Sequence, residues 1–369
     1  MRSIIPDAGK PARLDRRTLL RGLAGAGCAL ALPMLAAAQD DAAPPLPSAP
    51  ESIEIEARPI LHFERGKPDA KRFGQLEFRG GMVLTSPSAG FGGWSGLVME
   101  ADGSKLLSIS DAGGWLTADL AYQAGRPAGL KNARLGPLLA ARGRPLMDKR
   151  EKDAEGVTLL DGSLANGTLL VSFERLHRIG RFPFRNGEVQ APTGYLPLHP
   201  DARRMSANKG IEAVAVLQGG RLKGSVVAFA ERFTRGSGYH TGWIWVGGTP
   251  TPFYLQDPDG FDITDAASLP NGDLLVLERF FRWTDGVKMR IRRLAASEIA
   301  PGARLTGQTL IEADGSFEID NMEGLAVHRG AGGETVLTLI SDDNFNRILQ
   351  RTLLLQFTLI EERAGSARP

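Results

Sequence analysis

The sequence predicts an all-β fold, a β-propeller of six four-stranded blades closed by its own N- and C-terminal strands. Three observations carry that reading. Short apolar runs, alternating or continuous, dominate the chain, and helical periodicity is scarce. Asp-Gly, Asn-Gly and Gly-Gly pairs separate the runs, as hairpin turns require. Above all, one arrangement of residues recurs five times.

The leader comes first in the chain. "DRRTLLRGLAGAGCALALPMLAAAQD" (15–40) pairs Arg16 with Arg17, continues in small and apolar residues, and reaches Ala36-Ala37-Ala38 before Gln39. This order predicts a twin-arginine signal over 1–38, and therefore a periplasmic or secreted protein with the translocase as a transient partner. Arg21 and Pro33 interrupt the apolar stretch, which argues against a stable membrane anchor. The only cysteine, Cys28, lies inside the signal, so the mature chain has no disulfide and no thiol chemistry. A Pro/Ala-rich tether, extended and unpacked, is expected over 39–51, the propeller over 52–362 and a disordered tail over 363–369.

The repeat occupies most of what remains. The segments are "SGLVMEADGSKLLSISD" (95–111), "EGVTLLDGSLANGTLLVSFE" (155–174), "EAVAVLQGGRLKGSVVAFAE" (212–231), "DAASLPNGDLLVLE" (265–278) and "EGLAVHRGAGGETVLTLISD" (323–342). Each opens on an acid or serine, runs through two apolar stretches around a turn, and closes on an acid. The openers Ser95, Glu155, Glu212, Asp265 and Glu323 are 60, 57, 53 and 58 residues apart. A unit of that size built around a hairpin matches one propeller blade, and roughly 320 residues hold about six of them. Strands within 52–60 and 73–85, joined by 352–362, would form the sixth.

In an antiparallel hairpin the first residue of one strand lies beside the last of the next. If these hairpins are inner strands, the pairs Glu155/Glu174, Glu212/Glu231, Asp265/Glu278 and Glu323/Asp342, with Asp111 facing Ser95, meet on one face near the axis. Asp262 precedes one inner strand; Asp343 and Asn344 follow a second strand. Such a carboxylate ring repels itself unless cations sit in it. Calcium, a hard ion that takes carboxylate and amide oxygens, is the expected cofactor. The metal-ligand candidates are thus Asp111, Glu155, Glu174, Glu212, Glu231, Asp262, Asp265, Glu278, Glu323, Asp342, Asp343 and Asn344.

The same residues resemble the bacterial phytase-like (esterase-like phytase) family. "FGGWSGLVM" with "SISDAGG", "DAEGVTLL" with "VSFER", "NKGIEAVAV" with "AFAER", "FDITDAASLPNGDLLVLER", and "NMEGLAVH" with "LISDDNFN" carry the resemblance, in order, over about residues 73–359. It implies a propeller and phosphoester hydrolysis. On that basis the catalytic candidates are Glu155, Glu212 and Glu323 as bases, with Lys209 and Arg279 to hold phosphoryl oxygens. Neighbours on a strand face opposite sides. With Glu278 toward the axis, Arg279 would instead point between blades.

Other chemistries lack their signals. The five histidines show no zinc spacing, no G-x-S-x-G elbow is present, and no P-loop lysine follows the glycines. A formal net charge of +2 with acids and bases interleaved gives no nucleic-acid footprint. The expected partner is a small phosphorylated or ester substrate. The competing readings are a calcium-dependent lactonase-type propeller and a non-catalytic scaffold in which the acids hold structural calcium.

Overall fold

The computed structural model describes residues 44–206, 209–233 and 238–361. The predicted signal, the first part of the tether and the 363–369 tail lie outside them. The chain forms five sheets arranged as the blades of a propeller, antiparallel except where Arg304–Leu305 pairs in parallel with Thr249–Gln256. The inner strands are Trp94–Met99, Ala154–Gly162, Ile211–Val216, Asp262–Ser268 and Asn321–Arg329. Each contacts the next around the axis, and the fifth contacts the first.

The blade count is five, not six. The strands assigned to a sixth blade complete the fifth. Thr352–Leu359 pairs on one side with Thr335–Asp342 and on the other with Leu76–Thr85, which in turn pairs with Glu56–Ile60. Glu56–Ile60 and Leu76–Thr85 from the N-terminal side therefore share one sheet with Thr352–Leu359 from the C-terminal side, and the ring closes through backbone hydrogen bonds between them. The tether also differs from expectation, since Leu46 packs on the apolar core of blade one.

Between blades the core is layered aliphatic and aromatic packing. A cluster around Phe63, Phe73, Phe78 and Phe357 joins blades four and five, and one around Trp115, Phe173 and Phe182 joins blades one and two. Burial of these faces, at about 25 cal/mol per Å², is the main force holding neighbouring blades together.

All five inner strands carry the same irregularity, one extra residue relative to the second strand. The slip falls between Trp94 and Gly96, Ile211 and Ala213, Ile263 and Asp265, and Met322 and Gly324; in blade two it falls opposite Ser172. The bulged residues are thus Ser95, Glu155, Glu212, Thr264 and Glu323. Such a bulge re-aims side chains and bends the strand, a common device beside functional sites. The residue after it faces the neighbouring inner strand at close range. A Cβ on Gly156 would meet the Glu212 carbonyl oxygen, with Ser172 Oγ at 2.7 Å and Val214 N at 3.1 Å. Gly156→Ala is therefore expected to cost about 1–3 kcal/mol by overpacking, read from denaturant unfolding. An unchanged midpoint would show that the inner strands are looser than this packing implies.

Candidate functional site

The bulges gather carboxylates at one mouth of the ring. A funnel of about 200 Å³ is lined by Ser95, Asp111, Lys149, Asp153, Glu155, Glu174, Arg175, Glu212, Glu231, Arg279, Glu323, Asp342 and Asn344. Eight of these are acids and three are bases. Glu155, Glu212 and Glu323 come from bulges. Asp111, Glu174, Glu231 and Asp342 come from the residue just past each second-strand pairing with the inner strand, or its last pair.

Blade four breaks the pattern, and corrects the sequence reading there. Its bulged residue is Thr264, so Asp265 takes the place held elsewhere by Gly96, Gly156, Ala213 and Gly324. Asp265 is buried below the funnel and accepts the backbone N–H groups of Ala266 and Leu325. It is a blade-to-blade hydrogen-bond acceptor, not a lining ligand. The closing position likewise shifts by one, because Asp262 pairs with Arg279 and Ile263 with Glu278. Glu278 turns away from the axis into a fully buried ion cluster. Its carboxylate accepts Arg290 Nε at 2.9 Å and Arg292 Nε at 2.7 Å, with Arg292 Nη2 as a further donor. Arg279 faces the funnel instead of the space between blades.

The other candidates divide similarly. Asp262 is nearly buried and paired with Arg232 beside the funnel. Asp343 is buried and accepts the N–H groups of Gly93 and Phe345, so its role is to shape the loop that brings Asn344 to the funnel. Lys209 does not line the funnel, although its charge is felt by Glu231. Lys149 was missed. It lies in the blade-one-to-two connector and donates to Asp111 at 2.7 Å and Asp153 at 2.8 Å. Its only sequence signal is the Lys149–Asp153 spacing of four in "DKREKD".

The three bases neutralise only part of the ring. Asp153 pairs with Lys149 and, at 3.0 Å, with Arg175. Arg279 donates to Glu323 at 2.7 Å and to Asn321 at 2.5 Å, and lies 4.0 Å from Glu231. Burial opposes the Arg279 charge, yet Glu323, Glu231 and Asp262 together raise its pKa. No ion pair reaches Glu155, Glu174, Glu212 or Asp342 among the described residues. Burial, then the charges of Asp153 and Asp111, pushes Glu155 well above the usual carboxylate range. Burial and the neighbouring Glu155 and Glu231 do the same to Glu212, and burial with Asp111 and Glu323 to Asp342. Glu174 is pushed up to about 8 by burial, by a hydrogen bond with Asp153 and by that group's charge.

These shifts fix the sign of a pH effect. A carboxyl whose folded-state pKa exceeds its unfolded value binds protons preferentially in the native state. The stability it contributes is full below the ordinary carboxylate range and is lost as pH rises through about 8 for Glu174. In chelator, the melting temperature is expected to fall across that window. A melting temperature that rises across it would mean that the funnel acids are already compensated.

The carboxylate oxygens of Asp153, Glu155 and Glu174 lie within 4.8 Å of one another, and so do those of Glu174, Glu212 and Glu231. Two oxygen triads sharing Glu174 suit a hard cation, whose ligands at about 2.3–2.6 Å stand that far apart across the ion.

A family model described as phytase-like, esterase-like activity of phytase, matches residues 89–345. The chain belongs to the phytase-like family. The match spans all five inner strands and the funnel they carry. A search of curated proteins found no match. Among solved structures, an α-L-arabinofuranosidase from Podospora anserina is similar at 13% identity and a TM-score of 0.47, over 77% of this chain and 97% of that one. The Swd1 β-propeller domain of Myceliophteria thermophila is similar at 10% identity and a TM-score of 0.38, over 85% and 96%. Membership in the phytase-like family supports a hydrolase-type propeller.

Proposed function

We propose that this phytase-like protein is an exported calcium-dependent hydrolase of phosphate esters, with the funnel as its active site. One observation carries the reading: two clusters of close-set carboxylates adjoin guanidinium and ammonium groups in a single concave mouth. Glu155, Glu174 and Glu212, which no ion pair reaches among the described residues, suit the cation together with Asp153 and Glu231 of the same triads, and the bases suit an anionic substrate.

Asp153, Glu155, Glu174, Glu212 and Glu231 would hold calcium. When bound, it supplies charge compensation and Lewis acidity toward a phosphoryl oxygen. The chain itself does the rest. Arg279, fixed by Glu323 and Asn321, offers its remaining N–H groups to phosphoryl oxygens, and Lys149 and Arg175 add positive charge near blade two. A funnel carboxylate takes the proton from the attacking water. Three bases at the mouth favour phosphate over a lactone, which needs no such counter-charge.

Assays of phosphomonoester, phosphodiester and lactone substrates, each with calcium and with chelator, test the proposal. Calcium-dependent release of phosphate or alcohol from a phosphate ester is expected. Turnover of lactones alone, or indifference to calcium, would contradict it. Glu174→Gln, which removes the carboxylate common to both oxygen triads, should weaken calcium binding and activity together while the fold survives.

A further inference from the structure

The loops around the funnel carry apolar side chains exposed to solvent. The second strand of each blade climbs to the funnel face, so the turns to the third strands and the connectors between blades all lie there. Ile348 is 94% exposed, Trp283 83%, Leu349 78% and Met147 70%. These are the four most exposed large hydrophobics among the described residues, and all four are on funnel-face loops. Phe281 and Leu176 are exposed on the same face, with the Phe281 and Trp283 rings 6.3 Å apart. The exposed hydrophobics elsewhere show less than those four: Leu61 55%, Val246 42% and Tyr122 39%.

We infer that this face docks onto the surface of an anionic lipid bilayer, the apolar tips entering the headgroup boundary and the funnel opening onto the lipid phosphates. This rests on the calcium reading above, since eight funnel acids against three bases need a bound cation to face phosphate. The arrangement decides between occupants. A protein–protein interface has an apolar core inside a polar rim. Here the order is reversed, with a charged, concave centre and apolar tips on separate loops from blades two, four and five and the connector between blades one and two. A rigid partner would have to fill the funnel to touch them all, whereas a fluid surface moulds to isolated tips. Trp and Phe beside Arg are suited to that boundary, where an amphipathic ring sits at headgroup level. An arginine stands within three residues of every tip: Arg150 near Met147, Arg175 beside Leu176, Arg282 between Phe281 and Trp283, and Arg347 before Ile348. Arg150 is exposed and Arg282 lies over the Phe280 ring, with no acid paired to either among the described residues. Those two supply charge complementary to anionic headgroups. The contact proposed is peripheral, made by loop tips alone.

Sedimentation in calcium-containing buffer with vesicles of phosphatidylcholine alone, or mixed with phosphatidylglycerol, tests this without any assay of turnover, while calorimetric calcium titration tests the cation reading separately. The protein should sediment with the anionic vesicles and much less with the neutral ones. The triple variant Trp283→Ala/Ile348→Ser/Leu349→Ser should lose on the order of tenfold in partitioning, whereas Val246→Ser on the opposite face should lose none. Since all three side chains are exposed, the triple variant should melt with the wild type. Arg150→Glu/Arg282→Glu, which leaves the tips intact, should abolish the preference for anionic vesicles. No sedimentation with either vesicle, or sedimentation that all these variants share, overturns the inference. Self-association that the triple variant abolishes, without vesicle binding, would overturn it in favour of a second copy of the chain as the occupant.

Discussion

Glu278→Gln is expected to destabilise the protein by about 3–5 kcal/mol while leaving calcium affinity nearly unchanged. Glu278 is fully buried and is the shared anion of two arginines that are themselves almost inaccessible. Arg290 has Asp259 as a second partner, and Arg292 also donates to the carbonyl oxygens of Gln256 and Thr306. Neither guanidinium can reach water if the carboxylate is neutralised. Removing one member of such a cluster leaves buried charge without compensation, which costs far more than the intact cluster contributes over an apolar replacement. Thermal and denaturant unfolding of the variant, alongside a calcium titration, reads both quantities. Wild-type stability with weakened calcium binding would return Glu278 to the funnel and refute the register found in blade four.

Arg279→Ala is expected to do the reverse. Turnover of a phosphate ester should fall by roughly 10²–10³, the usual effect of losing one aligned donor to developing negative charge. Calcium affinity should rise, because a positive charge beside Glu323 and Glu231 has gone. Stability should change less than in Glu278→Gln, since the freed carboxylates line an open funnel that water enters. Arg279→Lys should recover part of the loss, keeping the charge but not the planar fork. Steady-state kinetics with calorimetric calcium titrations distinguish these outcomes. If Arg279→Ala lost calcium binding and turnover in parallel, the arginine would be organising the cation site and not the substrate.

The first expectation inverts the assignment that the sequence alone supports, and the second selects one of the two placements it leaves open for Arg279, for an identifiable reason. The alternation of side chains along a strand is strict, so a one-residue slip exchanges the faces of every residue beyond it. In blades one, two, three and five the opener and closer were read in register, and Asp111, Glu155, Glu174, Glu212, Glu231, Glu323 and Asp342 do line the funnel. In blade four the acids of "DITDAAS" and "LERF" gave the same pattern one position out. A bulge leaves no residue signature that could have corrected it; Thr264, the residue actually bulged, is unremarkable in sequence. Blade number failed for a related reason. Pairing partners of the end strands are long-range facts, and apolar runs at the two termini read equally well as a blade of their own or as the outer strands of the last one. Lys149 was not legible because it belongs to a connector, where no repeat marks position. The acidic convergence itself was legible, because it needs only that hairpins repeat and that their ends meet.

The chemistry of the funnel turns on whether it binds a cation through Glu155, Glu174 and Glu212, the acids between its two oxygen triads that no ion pair reaches among the described residues. Calorimetric titration of calcium into the purified protein at several pH values, with Glu174→Gln in parallel, measures this. Because the ligands must give up protons, the account predicts saturable binding that tightens as pH rises toward about 8. It predicts proton release on binding, and a large loss of affinity in the variant. Absence of calcium binding across that range, or binding indifferent both to pH and to Glu174→Gln, would contradict it.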